Sequence, residues 1–387
     1  MKFSSFGAVQ ERLPRRAQEV SRLAMALGRS SSRLEDAFWQ SRLYPLAEKM
    51  LSEGKEDLVT AALDFLYQKD ASGYEALLGA LEEVSCEREI ADGKRTLFLM
   101  LPVLAWSRSE IPWGAISPES LAEVRSLMEE ELLCPGVPLV LADALFAPNQ
   151  MPQGYSATLK WAEKLAQRLD EGVLHVSPKS LTRPELFLAD SRCLLGAVAV
   201  RPGEPFFRWH EEQIEEEEAL RRWQKASQDR LASLFGRCAI EVLLPNACFS
   251  AWRTAQRASR SFHLRGCVAF LTSTYDIAPQ NLKAVVAACH DPELVEWRVG
   301  FAREGDEEEI LEGVVWGLVE GEDERTDAMA EIRAILEQVG MKDIIFLPGR
   351  FPALYCEECQ APLFPTPKGE FVHAGPSPEN EISTRLH

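Results

Sequence analysis

Two near-continuous apolar runs, residues 97–105 and 137–146, constrain this chain more than any other feature. Each is far short of the roughly 18 apolar residues that a membrane span needs. Each is also too apolar for a strand with one face in water. The pattern fits strands buried on both faces, which need covering layers above and below. Residues 194–200 make a third run of the same kind. Between the first two, Ser117-Pro118 reads as a helix start, serine at the N-cap and proline in the first turn. Leu121, Val124, Met128 and Leu132 then share one face, and a second helix is expected over 155–169. The order is β-α-β-α-β, an α/β unit over 91–200. Pro102 inside the first run predicts a bulge or a strand end.

Residues 1–90 read as a helical segment. Val20, Leu23, Ala24 and Leu27 recur at helical spacing, and Gly28 is placed to end that helix. Phe38 and Trp39 are expected to pack onto the following unit. Residues 201–235 read as an acidic helical junction: a turn-rich R-P-G-E-P-F-F-R-W leads into E-E-Q-I-E-E-E-E-A-L-R-R-W. Glu217 and Glu218 precede Arg221 and Arg222 by four residues, the favourable direction for helical ion pairs.

Residues 236–347 alternate more clearly. A strand is expected at 239–244, a helix over 248–260 and a strand at 267–271. A helix opened by Pro279 follows, with Leu282, Val285, Val286 and Cys289 on its stripe. Val295, Trp297, Val299 and Phe301 then alternate, and the turn Glu304-Gly305-Asp306 returns to a partner strand at 310–319. Thr326 is expected to cap a helix carrying Met329, Ile332, Leu336 and Val339, ended by Gly340 before a strand at 344–347. From Cys267 onward the order is β-α-β-β-α-β, the ferredoxin-like arrangement. The expected class is α+β: helical N-terminal segment, middle α/β unit, ferredoxin-like C-terminal unit and a small Cys-x-x-Cys knuckle over 348–387.

That knuckle holds the first candidate site. Cys356 and Cys359 are two residues apart, and His373 follows after thirteen more (373 − 359 − 1). Two thiolates on one tight turn can share an ion, and a Pro-rich return can bring the histidine to them. Gln360 stands where such knuckles usually have glycine. A second C-x-x-C is missing, so this is half of a zinc ribbon. Glu370, His387 or a residue from elsewhere would complete a structural zinc site. With no fourth ligand the open position would activate water, as catalytic zinc does. A turn that binds no metal is the first of the three readings, ahead of structural zinc and then catalytic zinc. Redox use is disfavoured, since Glu357 and Glu358 work against a thiolate.

The second candidate is a run without acidic residues between Glu241 and Asp276. Arg253, Arg257 and Arg260 share a helix face there, with Arg265 beyond, and could hold an anion or an acidic partner. The favoured reading is a solvated face balanced by carboxylates from elsewhere in the fold. Cys289-His290-Asp291 offers nucleophile and base types, but neighbours on a helix point apart, and His290 is expected at a helix C-terminus. The chain has no P-loop, G-x-G-x-x-G, G-x-S-x-G or H-E-x-x-H.

Composition narrows the partners. The 387 residues carry 42 basic and 60 acidic side chains, a formal charge of −18. Such a surface repels nucleic acid and anionic lipid, so neither is expected as a partner. Nine cysteines in no disulfide pattern, and no secretory leader, point to a reducing cytoplasm.

Several strings, S-R-L-E-D-A-F-W (32–39), L-A-W-S-R (104–108), L-L-G-A-V-A-V (194–200), F-R-W (207–209), R-V-G-F (298–301), G-V-V-W (313–316) and C-E-E-C-Q-A-P-L-F-P, span nearly the whole chain. Together they resemble a betaproteobacterial family known as domain of unknown function 2863. The resemblance implies a bacterial, cytoplasmic, full-length architecture and no chemistry. The residues favour a non-enzymatic binding or regulatory protein, its partner a protein or small molecule, with zinc as the one cofactor in view. A zinc-dependent hydrolase with an open Cys2His site is the alternative. Nucleic-acid association through the arginine helix is the weakest reading.

Overall fold

A computed structural model describes residues 13–90, 92–107, 110–185, 187–305, 308–319 and 322–375. Its first part is helical as expected: α1 (Arg15–Gly28), α2 (Arg33–Ser52), α3 (Glu56–Lys69) and α4 (Ala71–Cys86). Ser32 caps α2 by accepting from the Glu35 amide at 3.3 Å, and Asp70 caps α4 by accepting from the Gly73 amide at 2.8 Å. Val20, Leu23, Leu43, Met50, Leu66, Leu77 and Leu81 form their shared core. Gly28 lies at the end of α1 and also permits close packing, since a Cβ there would sit 2.4 Å from the Ser72 carbonyl oxygen. Phe38 is 48% exposed and meets the Trp39 ring edge-on, while Trp39 packs against the helical core, to which Leu159 of the following unit also belongs.

The central sheet is built from β1 (Glu87–Glu89), β2 (Arg95–Trp106), β3 (Gly114–Ala115), β4 (Leu139–Phe146), β5 (Val173–Leu174) and β6 (Ala189–Val200). Helices α5 (Pro118–Glu131) and α6 (Tyr155–Ala166) fall between them, and Ser117 caps α5 as expected. After β6 come α7 (Arg208–Glu211), α8 (Glu216–Phe235), β7 (Ala239–Val242) and β8 (Asn246–Ala247). The strand order is β1-β2-β6-β4-β3, with β7 and β8 also on β2 and β5 on β4, and the three long strands pair antiparallel.

The continuous apolar runs follow from two cores. Leu97, Leu99, Leu101 and Val103 face α5 and α8, while Phe98 and Met100 face α6 and the helix that follows β8. Burying side chains of this size contributes about 1.5–3 kcal/mol each. The acidic segment 201–235 thus supplies a covering helix: α8 buries Trp223, Leu231 and Phe235 and turns its charges to water.

Pro102 neither bulges nor ends β2; it pairs with Cys193 inside an unbroken ladder. On its other side β2 passes from β8 to β7, and the Pro102 carbonyl accepts from the Leu243 amide at 3.1 Å. A strand residue's nitrogen and carbonyl face the same side. The missing N–H therefore falls at that handover, where no regular ladder bond is lost.

The C-terminal part corrects two expected elements. The expected strand at 267–271 lies inside one 28-residue helix, α9 (Cys248–Tyr275), and the expected helix after Pro279 is a strand, β9 (Leu282–Asp291). β10 (Glu293–Arg303), β11 (Glu312–Gly317), α10 (Ala328–Gln338), β12 (Asp343–Phe346) and β13 (Phe351–Pro352) follow. From Cys267 the order is thus α-β-β-β-α-β, not the ferredoxin-like β-α-β-β-α-β. The sheet runs β11-β10-β9-β12 with β13 also on β9, and the expected hairpin pairs Trp297 with Trp316 and Val299 with Val314. Asp327, not Thr326, caps α10, its carboxylate accepting from the Ala330 amide at 3.1 Å. One end of α9 buries Cys248 and Ala251 against the central sheet, and the other buries Leu264, Cys267, Val268 and Leu271 against the second. One helix therefore covers both sheets. The class is α+β, and among the described residues no helix is long and apolar enough to cross a membrane.

Candidate metal centre and the adjoining cavity

The outer face of the β10–β11 hairpin positions the C-terminal segment. On an alternating strand, Arg298 and Gly300 point away from the helices that Val299 and Phe301 face. Gly300 pairs with Gly313 across the ladder, leaving a bare patch. The segment lies on that patch: a Cβ on Gly300 would stand 2.7 Å from the Pro365 carbonyl oxygen, and one on Gly313 only 2.4 Å from the Phe364 ring. Phe364 belongs to a small antiparallel hairpin of β14 (Phe364–Pro365) and β15 (Phe371–Val372). Its turn is closed by the Thr366 amide donating to the Glu370 carbonyl at 2.8 Å. Ala302, Ile310 and Phe364 form a small core beneath it, and the Gly375 amide donates to the Ile310 carbonyl at 2.7 Å.

Arg298 fixes the knuckle from below. Its side chain is fully buried, donating from Nε to Glu296 at 2.7 Å and from Nη1 to the carbonyls of Leu363, at 2.7 Å, and Leu354. Those two residues are joined by the Leu363 amide donating to the Leu354 carbonyl at 3.0 Å. Tyr355 lies over the guanidinium, 4.7 Å from its carbon to the ring centre. The two chain segments flanking the Cys-x-x-Cys turn are therefore held by one buried cation. The sequence reading missed this residue. Its available signal was an arginine beside small residues on the supposed solvent face.

The turn closes tightly, with the Gln360 amide donating to the Cys356 carbonyl at 3.0 Å and the Cys356 amide to the Ala361 carbonyl at 2.9 Å. Gln360 takes the left-handed conformation at φ 60°, the geometry that makes glycine usual at this place. The hairpin then returns His373 to the cysteines. One ligand atom from each of Cys356, Cys359 and His373 lies within 4.8 Å of the others, and Cys359 Sγ is 3.8 Å from His373 Nε2. Tetrahedral zinc with bonds of about 2.3 Å to sulfur and about 2.0 Å to nitrogen sets ligand atoms about 3.6–3.8 Å apart. The donor set fits zinc, with modest contraction on binding. The amides of Cys359 and then Glu358 point at the Cys356 sulfur and, with His373, pull that thiol down to about 7. The exposed carboxylates of Glu357 and Glu358 do not outweigh those amides, contrary to the expectation from charge. Glu370 is exposed and outside the ligand group, and His387 lies outside the described residues.

His373 also lines a cavity of about 400 Å³ at the edge of β11, where the two sheets and the C-terminal segment meet. Trp106 and Phe270 form one wall, their ring centres 6.0 Å apart. Residues 312–315 form the floor, and Pro362 and Phe364 bring the C-terminal segment over it. Burial pushes the His263 imidazole down to about 4, so it is neutral at pH 7, and raises the Glu312 carboxyl above its usual range.

The arginine helix is largely neutralised by carboxylates from other elements. Arg253 forks onto Glu82, Arg265 pairs with Glu241, and Arg260 is buried, donating to Glu322 at 2.6 and 2.9 Å beneath Trp316. Arg257 is exposed. Cys289, His290 and Asp291 end a strand rather than a helix, so neighbouring side chains face opposite sides. His290 has Nε2 3.7 Å from Glu324 and Nδ1 3.2 Å from the Ala288 carbonyl.

Fold and site together define an α+β protein with a three-donor Cys2His cluster beside a cavity. A family model described as protein of unknown function (DUF2863) matches residues 8–387, and the chain belongs to that family. No curated protein and no solved structure matches it.

Proposed function

We propose that this chain is a small-molecule-binding protein in which zinc, held by Cys356, Cys359 and His373, fastens the C-terminal segment as one wall of the binding cavity. The observation that carries the reading is the double position of His373, within ligand distance of Cys359 and on the cavity surface. Nine free cysteines fit a reducing compartment, the cytoplasm. Metal analysis of protein purified under reducing conditions tests the reading. About one zinc per chain is expected, released by Cys356→Ser while the upstream helices and sheets stay folded. Full retention of zinc by that variant would refute the assignment.

The zinc-hydrolase reading has one observation in its favour. Among the described residues the ligand group has three members, and one of them faces the cavity. An ion so held has a fourth position for water, where its role would be to lower that water's pKa. Hydrolysis of activated esters that disappears with Cys356→Ser would favour it over simple binding.

A further inference from the structure

The cavity beside the metal centre has a specific chemical asymmetry. Its lining contains one carboxylate, Glu312, and no lysine or arginine. Among the described residues Glu312 has no ion-pair partner; its carboxylate accepts only from the neighbouring Gly313 amide, at 3.2 Å. Other inward carboxylates are paired, Glu322 with Arg260 and Glu296 with Arg298. A half-buried carboxylate facing an apolar cavity with no basic side chain paired to it favours a cation from outside the chain.

The rings around it point the same way. Trp106 packs over Gly266, where a Cβ would meet its ring at 2.9 Å, and Phe364 packs over Gly313. Phe270 stands beside Trp106. Two bare backbone positions thus make room for two rings around the cavity. Ring faces attract organic cations that shed their water readily, more strongly once desolvated. His263 adds no opposing charge at neutral pH.

We infer that this cavity binds an organic ammonium with an apolar body, its cationic head between Glu312 and the rings of Trp106, Phe270 and Phe364. The volume of about 400 Å³ suits a small ligand, since small-molecule sites begin at about 300 Å³. The inference rests on the binding-protein reading. It does not require that the neighbouring ion take part in recognition.

Calorimetric titration of the zinc-loaded full chain with 2-phenylethylamine, 2-phenylethanol and phenylacetate tests it. These probes share one ring and differ in charge. The amine is expected to bind at least about tenfold tighter than the alcohol, the ratio given by about 1.4 kcal/mol of charge recognition. Glu312→Gln should reduce that ratio to about threefold or less, with alcohol binding retained. Phe270→Leu keeps an apolar wall without the ring face and should lower amine affinity selectively, so the inference stays testable if Glu312→Gln folds poorly. Equal binding of all three probes, tighter binding of phenylacetate, or no binding of any probe would overturn it. Zinc content measured on the same samples judges the metal reading separately.

Discussion

Arg298 Nη1 donates to the Leu363 carbonyl at 2.7 Å from a side chain with no exposed surface. This bond ties the sheet to the segment leaving the Cys-x-x-Cys turn, so metal affinity should depend on a residue outside the Cys356, Cys359 and His373 cluster. Arg298→Met removes the cation while Glu296 and the Leu363 carbonyl stay in place. Loss of one partner of a buried pair costs about 3–5 kcal/mol, and undocking of the segment relieves part of it. Zinc affinity, measured by competition with a chromophoric chelator, should fall at least about tenfold. Unchanged affinity would show that the turn is self-sufficient.

Gly313 offers a test of the docking surface itself. Alanine there would place a methyl group inside the Phe364 ring, and overpacking of this kind costs about 1–3 kcal/mol. Gly313→Ala should speed proteolytic cleavage after the residues of β14, with little change in the global unfolding midpoint. Alanine at Gly317, where a Cβ meets nothing within 4 Å, is the matched control.

At Gln360 the left-handed backbone is strained for a side chain. Relief of about 1 kcal/mol by glycine is partly offset by added chain entropy and by loss of the bond from Gln360 Nε2 to the Glu357 carbonyl. Gln360→Gly should therefore leave zinc affinity equal or raise it a few-fold. Gln360→Val should lower it by at least about tenfold, since a β-branched residue tolerates this region worst. Equal affinities in the two variants would contradict the turn geometry.

His263 gives a pH dependence with a definite sign. Its pKa is lowered from 6.5 to about 4 in the folded chain. The unfolded chain therefore binds the proton first as pH falls. Stability linked to this group is fully present above about 6.5, declines as pH drops toward about 4, and is flat below. The difference in unfolding free energy between the wild type and His263→Gln should shrink across that window, by about 3 kcal/mol. A difference independent of pH between 4 and 7 would contradict the burial. Glu312 lies in the same cavity, and its raised pKa acts in the opposite sense, so only the difference between the two proteins isolates the histidine.

How much of this was legible follows from which faces are covered. The β10–β11 hairpin was readable because Val295, Trp297, Val299 and Phe301 alternate with polar or small residues. The same alternation misled at Arg298 and Gly300, which look solvent-facing until a remote segment of the chain lies on them. The helix α9 was lost at residues 267–271, where five apolar residues in a row fit a strand and a buried helix equally. β9 failed for the complementary reason: buried on both faces, residues 284–289 show no period of two. The cysteine spacing and the hairpin return were local features, so the three side chains that cluster could be named from sequence. The cavity could not, because Trp106, His263 and Glu312 are brought together only by tertiary packing.

The central claim is that the three side chains share one zinc ion. X-ray absorption at the zinc edge on protein purified without added metal tests it most directly. The account predicts about one zinc per chain with two sulfur neighbours at about 2.3 Å and at least one imidazole nitrogen at about 2.0 Å. Purified protein that retains no zinc, or a shell of oxygen and nitrogen alone, would contradict it.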